Sequence, residues 1–247
     1  MISSFRQRRL RSGAVNSARM TCAVGVVLLG ACGGEVSDRV AQETENPAQR
    51  DARPRDGDEA LEWLLEGNAR FARDEPLHGH EGLRRRAMLS GSQHPFAAVL
   101  GCADSRVPPE LVFDQGLGDL FVIRVAGNVV AEDEAGSIEY ATDHLDVRLV
   151  LVLGHEGCGA VTAALGAADG EAEELTHLLD RVEPALRGID PALPLDEQVR
   201  LGVEANVRRA VQQLSEIAER ESEAAPPGLR IVGAVYELES GRVRVLE

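Results

Sequence analysis

Phe96-Ala97-Ala98-Val99-Leu100-Gly101-Cys102-Ala103-Asp104-Ser105-Arg106 is an apolar run that stops abruptly in a thiol, a carboxylate and a guanidinium at alternate positions. The run is short and almost without polar residues, the pattern of a parallel strand covered on both faces. Open α/β sheets carry their sites just past the carboxyl ends of such strands. Two more runs of the same kind, Leu120–Val125 and Arg148–Leu153, follow. The second of them leads into Gly154-His155-Glu156-Gly157-Cys158-Gly159, another group of metal-type ligands beyond a strand end.

Working outward, the segments between these runs have helical spacing. Upstream, Leu61, Leu64, Leu65, Asn68, Phe71 and Ala72 predict an amphipathic helix over Asp58–Arg73, with acids in its first turn and arginines at its end to suit the helix dipole. A shorter helix is expected over Gly82–Leu89. Downstream, Ala135–Leu145, Cys158–Leu165, Glu171–Arg187 and Leu195–Glu219 read as helices, with Pro184, Pro191 and Pro194 delimiting a loop between the last two. Arg230–Leu238 and Arg242–Leu246 read as a closing strand pair around Ser240-Gly241. Strands alternating with helices predict a single α/β domain, residues 58–247, with a mainly parallel central sheet flanked by helices.

The 247 residues suffice for a substantial core, and that core must be aliphatic, since aromatic residues make up only 3% of the chain. The formal charge of −15 is unevenly spread. Residues 1–31 hold five of the 26 basic residues and no acid, leaving 21 basic against 41 acidic residues in the remainder. So acidic a body lacks the basic footprint that phosphate backbones require, which excludes nucleic acid as a partner.

The basic N-terminus reads as an address. Its arginines precede the apolar run Cys22–Leu29, too short to span a bilayer and of the length of a signal core. Leu29-Gly30-Ala31-Cys32 then resembles the lipobox of bacterial lipoproteins. The expectation is a signal peptide over 1–31, lipidation of Cys32, and a protein anchored to the membrane of the bacterial cell envelope, facing the periplasm or exterior. Ordinary export to the periplasm is the alternative. Residues 32–57 are polar and nearly free of apolar periodicity, as expected of a flexible tether.

Zinc prefers thiolate and imidazole in four-coordination, and a catalytic site leaves one position open. Cys102, His155 and Cys158 would supply three such ligands. In an oxidising compartment a Cys102–Cys158 disulfide is the competing reading. Residues two apart in extended chain point the same way, so Asp104 and Arg106 would face the same cavity as Cys102. Asp104 would either fill the fourth metal position or turn to Arg106 and leave it open. A plain ion pair that stiffens the loop is compatible with both.

Cys102-Ala103-Asp104-Ser105-Arg106 with His155, Cys158 and Gly159 resembles the β-class carbonic anhydrases. The similarity runs from about Glu59 to the C-terminus and includes Pro108–Asn128, Gly136–Tyr140 and Ile231–Tyr236. It implies a Rossmann-like fold, one zinc per chain, and reversible hydration of carbon dioxide to bicarbonate by zinc-hydroxide attack. By position, Cys102, His155 and Cys158 would be the zinc ligands, with Asp104 and Arg106 as the catalytic pair. Gln93, Phe121, Tyr140 and Gly159 match the substrate pocket, and a homodimer is the smallest expected assembly. A hydrolase of carbonyl sulfide or carbon disulfide on the same scaffold, and a non-catalytic zinc-binding envelope domain, are the alternatives. Two positions depart from the family pattern. Gly157 stands where a small hydroxylic residue is usual, and Val99 replaces the tryptophan tied to an inhibitory bicarbonate site in some members.

Overall fold

The computed structural model describes residues 53–166, 173–220 and 228–246. The signal segment, the Leu29–Cys32 motif and the tether up to residue 52 lie outside the described residues. Residues 53–57, expected to belong to the tether, already touch the domain: the Arg53 guanidinium donates to the Pro95 carbonyl at 2.8 Å.

Helix α1 (Gly57–Ala72) begins one residue before the sequence expectation because Asp56 caps it, its carboxylate accepting from the Glu59 N–H at 3.0 Å. Helix α2 (Leu83–Met88) follows and buries none of its residues. Strand β1 (Ala97–Gly101) leads through the Cys102 loop to the short helix α3 (Pro109–Val112), which the sequence reading missed. Then come β2 (Leu120–Arg124), a 3₁₀ turn at Ala126–Asn128, α4 (Glu132–His144) and β3 (Leu149–His155). Helices α5 (Gly159–Gly166), α6 (Glu173–Leu186) and α7 (Leu195–Arg220) lead to the closing strands β4 (Arg230–Tyr236) and β5 (Val243–Val245).

The sheet order is β2-β1-β3-β4-β5, with β5 antiparallel to β4 and every other pairing parallel. Alternation along the central strands splits the core in two. Ala98, Leu100, Val150 and Val152 face one layer, which is packed with residues of α4 to α7. Ala97, Val99, Leu149, Leu151 and Leu153 face the other, packed with α1 and α3. Both layers are dominated by aliphatic side chains, and Phe113 is the one fully buried Phe, Tyr or Trp among the described residues.

One expectation is corrected. Pro184 lies inside α6 and not in the loop before α7. A proline in the last turn forfeits a single backbone hydrogen bond, to the Asp180 carbonyl, so the helix carries it to Leu186. Asn68, counted by spacing with the apolar stripe of α1, is buried for a polar reason. Its Nδ2 donates to the carbonyls of Val112 and Gly241, and its Oδ1 accepts from the Val243 N–H, tying α1 to α3 and to the closing hairpin.

Helix α7 lies close against β3 because Gly154 has no side chain: a Cβ there would stand 2.5 Å from Val207 Cγ2. Gly154→Ala should therefore destabilise the domain by about 1–3 kcal/mol in denaturant unfolding. Adding Val207→Ala, which removes the opposing methyl, should cost less than the two single changes summed; strict additivity would show that the contact is not the cause.

Candidate metal centre

Three chain segments meet at the carboxyl ends of β1 and β3. Cys102 follows the last residue of β1, His155 ends β3, and Cys158 immediately precedes the first turn of α5. The register of β1 on β3 sets Gly101 opposite Leu153, so the residues after each strand emerge side by side. The ligand atoms of Cys102, His155 and Cys158 lie within 4.8 Å of one another, and all three residues are buried. Both cysteines are free thiols, so the disulfide alternative is not what this structure contains.

The histidine is set up as a ligand. Its Nδ1 lies 2.9 Å from the Glu156 carbonyl, which can only accept, so the proton sits on Nδ1 and the Nε2 lone pair faces the cysteines. That Nε2 is buried with no hydrogen-bond partner, at a cost of about 1–3 kcal/mol unless something coordinates it. The thiols fit the same group. The neighbouring Cys158 thiol is the largest influence pulling Cys102 down to about 4 against the effect of burial, and the backbone N–H groups of Gly127 and Asp104 add to it. The neighbouring Cys102 and burial push Cys158 up. Sulfurs this close oppose each other's ionisation, and a dication lets both carry charge.

Asp104 stands at the rim of this trio. Its Oδ2 is 3.9 Å from His155 Nε2, yet the carboxylate is turned to Arg106, which donates from Nε at 2.9 Å and Nη2 at 2.7 Å. The backbone N–H of Arg106 adds a third bond at 2.9 Å. Of the two positions expected for Asp104, the structure shows the one turned away from the ligand cluster. The Arg106 guanidinium holds this carboxyl well below the usual carboxylate range. Arg106 also reaches the Gly157 carbonyl at 3.4 Å. Gly157 has φ +59°, a left-handed conformation that glycine adopts without strain, which accounts for a glycine in this turn.

The expected pocket residues are not gathered here. Gln93 is exposed in the segment before β1, at the opposite end of that strand. Phe121 pairs with Ala98 early in β2, and its ring lies 6.2 Å from that of Tyr140, which is 47% exposed on α4. Cys102 lies beyond the level of Gly101 and Arg124, three residues or about 10 Å further along. Gly159, by contrast, opens α5 directly beside the trio.

Two residues missed in the sequence support the site. Arg124, the last residue of β2, donates to the Cys102 carbonyl at 3.0 Å and the Asp104 carbonyl at 2.6 Å, pinning the loop that carries both. Asn206 of α7 donates at 2.7 Å to Gly127, whose N–H reaches Cys102 Sγ. A charge closing an apolar strand, and an amide on the apolar face of a helix, were the available signals.

Fold and site together define a zinc-type α/β protein with a buried Cys₂His centre at the carboxyl edge of its sheet. Residues 97–243 match the carbonic anhydrase family, and the chain belongs to that family. The carbonic anhydrase of Mycolicibacterium smegmatis is 43% identical over 191 residues, which cover 75% of this chain and 91% of that relative. The β-carbonic anhydrase CafA of Aspergillus fumigatus superposes with a TM-score of 0.59 at 28% identity, covering 76% of this chain and 89% of the other. One of two tetrameric β-carbonic anhydrases from Sordaria macrospora gives 0.57 at 25% identity, with 76% and 96% covered.

Because Asp104 ionises more readily in the folded chain, its pairing with Arg106 stabilises the fold fully above the unfolded value of about 4 and loses that contribution progressively as pH falls from there through the much lower folded value. Arg106→Gln should therefore be less stable than wild type from pH 5 to 7, with the gap closing below about pH 4. A gap that persists unchanged to pH 2 in thermal unfolding would assign it to another group.

Proposed function

We infer that this chain catalyses the reversible hydration of carbon dioxide to bicarbonate, with one zinc held by Cys102, His155 and Cys158. The observation that carries the reading is the buried trio with its unpartnered His155 Nε2, bordered by an ionised Asp104 that Arg106 holds aside. Zinc bound there supplies the Lewis acidity that makes water ionisable near neutral pH.

The chain's own groups do the rest. The Glu156 carbonyl fixes the His155 tautomer, and the N–H of Gly127 supports Cys102. Asp104, kept charged by Arg106, offers an acceptor oxygen at the rim, where it would take a hydrogen bond from the reacting water and orient it for attack. Arg106, tied to the Gly157 carbonyl as well, keeps that carboxylate from occupying the substrate's place.

Gln93, Phe121 and Tyr140 would serve as pocket walls for a neighbouring subunit's metal, since within one chain they stand at the other end of the strands. This reading requires at least a homodimer; the Sordaria relatives are tetrameric. Among the described residues no helix is long and apolar enough to cross a membrane. Attachment to the cell envelope would rest on a lipid at Cys32 after removal of residues 1–31, which outer- or inner-leaflet placement alike would accommodate.

Stopped-flow hydration of carbon dioxide, with metal analysis, tests the activity. Wild type should carry about one zinc per chain and be active, Cys158→Ser should lose zinc and activity together, and Asp104→Ala should keep zinc while kcat falls roughly 100-fold. Zinc without hydration activity across pH 6–9 would defeat the reading, and turnover of carbonyl sulfide instead would move it to the sulfur analogue. Separately, Cys32→Ser should shift the protein from the membrane to the soluble fraction of cells; wild type already soluble would rule out the anchor.

A further inference from the structure

The buried face of α7 is formed by Val199, Gly202, Val203, Val207, Ala210 and Leu214, with a single amide among them, Asn206. Packing alone would be served by another aliphatic residue, because a buried amide is tolerated only when its hydrogen bonds are made. The Nδ2 of Asn206 makes its bond to the Gly127 carbonyl at 2.7 Å. Gly127 is the centre of the turn that follows β2, with φ +70°, and its own N–H donates to Cys102 Sγ at 3.3 Å. The turn therefore has two fixed points, a side chain from α7 on one side and a sulfur on the other.

Glycine is the softest backbone position in a chain, and in this turn it has to be glycine. A Cβ on Gly127 would stand 3.1 Å from the Ala160 methyl and 3.2 Å from Val182 Cγ2, so the turn is pressed against α5 and α6. A residue with such freedom holds an N–H on a target only if something else fixes its peptide planes, and Asn206 is placed to do so.

We propose that Asn206 is a positioning residue of the metal centre: by holding Gly127, it keeps that residue's N–H on Cys102 Sγ and so limits the negative charge this thiolate gives to the ion. The proposal rests on Cys102 being a metal ligand, as inferred above. A hydrogen bond to a thiolate withdraws electron density from it, so a metal with two thiolate ligands stays a stronger Lewis acid than it would beside two unmodified ones. Asn206 touches neither metal nor substrate; it acts through Gly127.

The test compares full-length wild type, Asn206→Ala, Asn206→Leu and Val211→Ala, each substituted with cobalt(II). Asn206→Leu keeps a side chain branched at the same carbon on an otherwise aliphatic face and has no donor, so it decides the matter where Asn206→Ala does not accumulate as folded protein. Val211 packs on the same helix near Gly233 and has no part in the turn, so Val211→Ala controls for lost packing. In both Asn206 variants the thiolate-to-cobalt charge-transfer band should move to longer wavelength, because the sulfur regains electron density, and zinc retention against a competing chelator should fall by about 10-fold or more, because the turn no longer presets the Cys102 sulfur. Hydration kinetics should lose kcat with KM unchanged. Val211→Ala should unfold at lower temperature with its band and zinc retention intact. Folded Asn206 variants with the wild-type band and retention would overturn the proposal, as would an equal band shift in Val211→Ala. Wild type that takes up no cobalt would instead defeat the ligand assignment beneath it.

Discussion

The parallel pairing of β1 on β3, with Gly101 opposite Leu153, decides most of what this chain can do. Parallel strands end on the same edge, so whatever follows each of them is delivered to a common place. Cys102 and His155 are about fifty residues apart in sequence and become neighbours only through that register. A slip of one residue would turn the side chains of each strand to the opposite layer of the core, which two buried aliphatic layers strongly oppose. The packing that stabilises the sheet is thus also what holds the ligand geometry.

Around the site, backbone groups do work that side chains often do elsewhere. Carbonyls of Glu156, Cys102, Asp104, Gly127 and Gly157 each accept a bond that fixes either a ligand or its neighbour. Such an arrangement explains why glycines recur at the metal turn and in the 3₁₀ turn, both of which need φ values above zero. It also explains why ionised groups sit at the rim while the centre is lined by sulfur, imidazole and amide. A guanidinium next to the ligands would compete with the metal, whereas Arg106, half exposed, keeps Asp104 charged from a distance.

Much of this was legible from residue order. The strands at 97–101, 120–124 and 149–155 announce themselves by their apolar runs, and the ligands by their places at or just beyond the ends of two of them. The helices of the second half agree with the expectation to within two residues, apart from the start of α4, which lies three residues earlier, because caps are weaker signals than stripes. The four-residue helix Pro109–Val112 escaped because it spans barely one turn, too little for a period to repeat. Arg124 and Asn206 escaped for a different reason. Their roles are hydrogen bonds to backbone far away in sequence, and no spacing rule records where a carbonyl will be. Phe121 and Tyr140 were picked out through family likeness, and the chain by itself sets them beside each other and away from the ligands.

Asn68 has a consequence for the order in which the fold can close. The amide seats helix α1 on Gly241 and Val243, in the hairpin that closes the sheet. While a nascent chain lacks that final hairpin, the Asn68 amide has no full set of partners, and burying it against β1 and β3 is penalised. Docking of helix α1 is thereby favoured only once the hairpin is in place. One amide thus couples helix α1 to the closing hairpin, so the two segments reach their full hydrogen bonding only together.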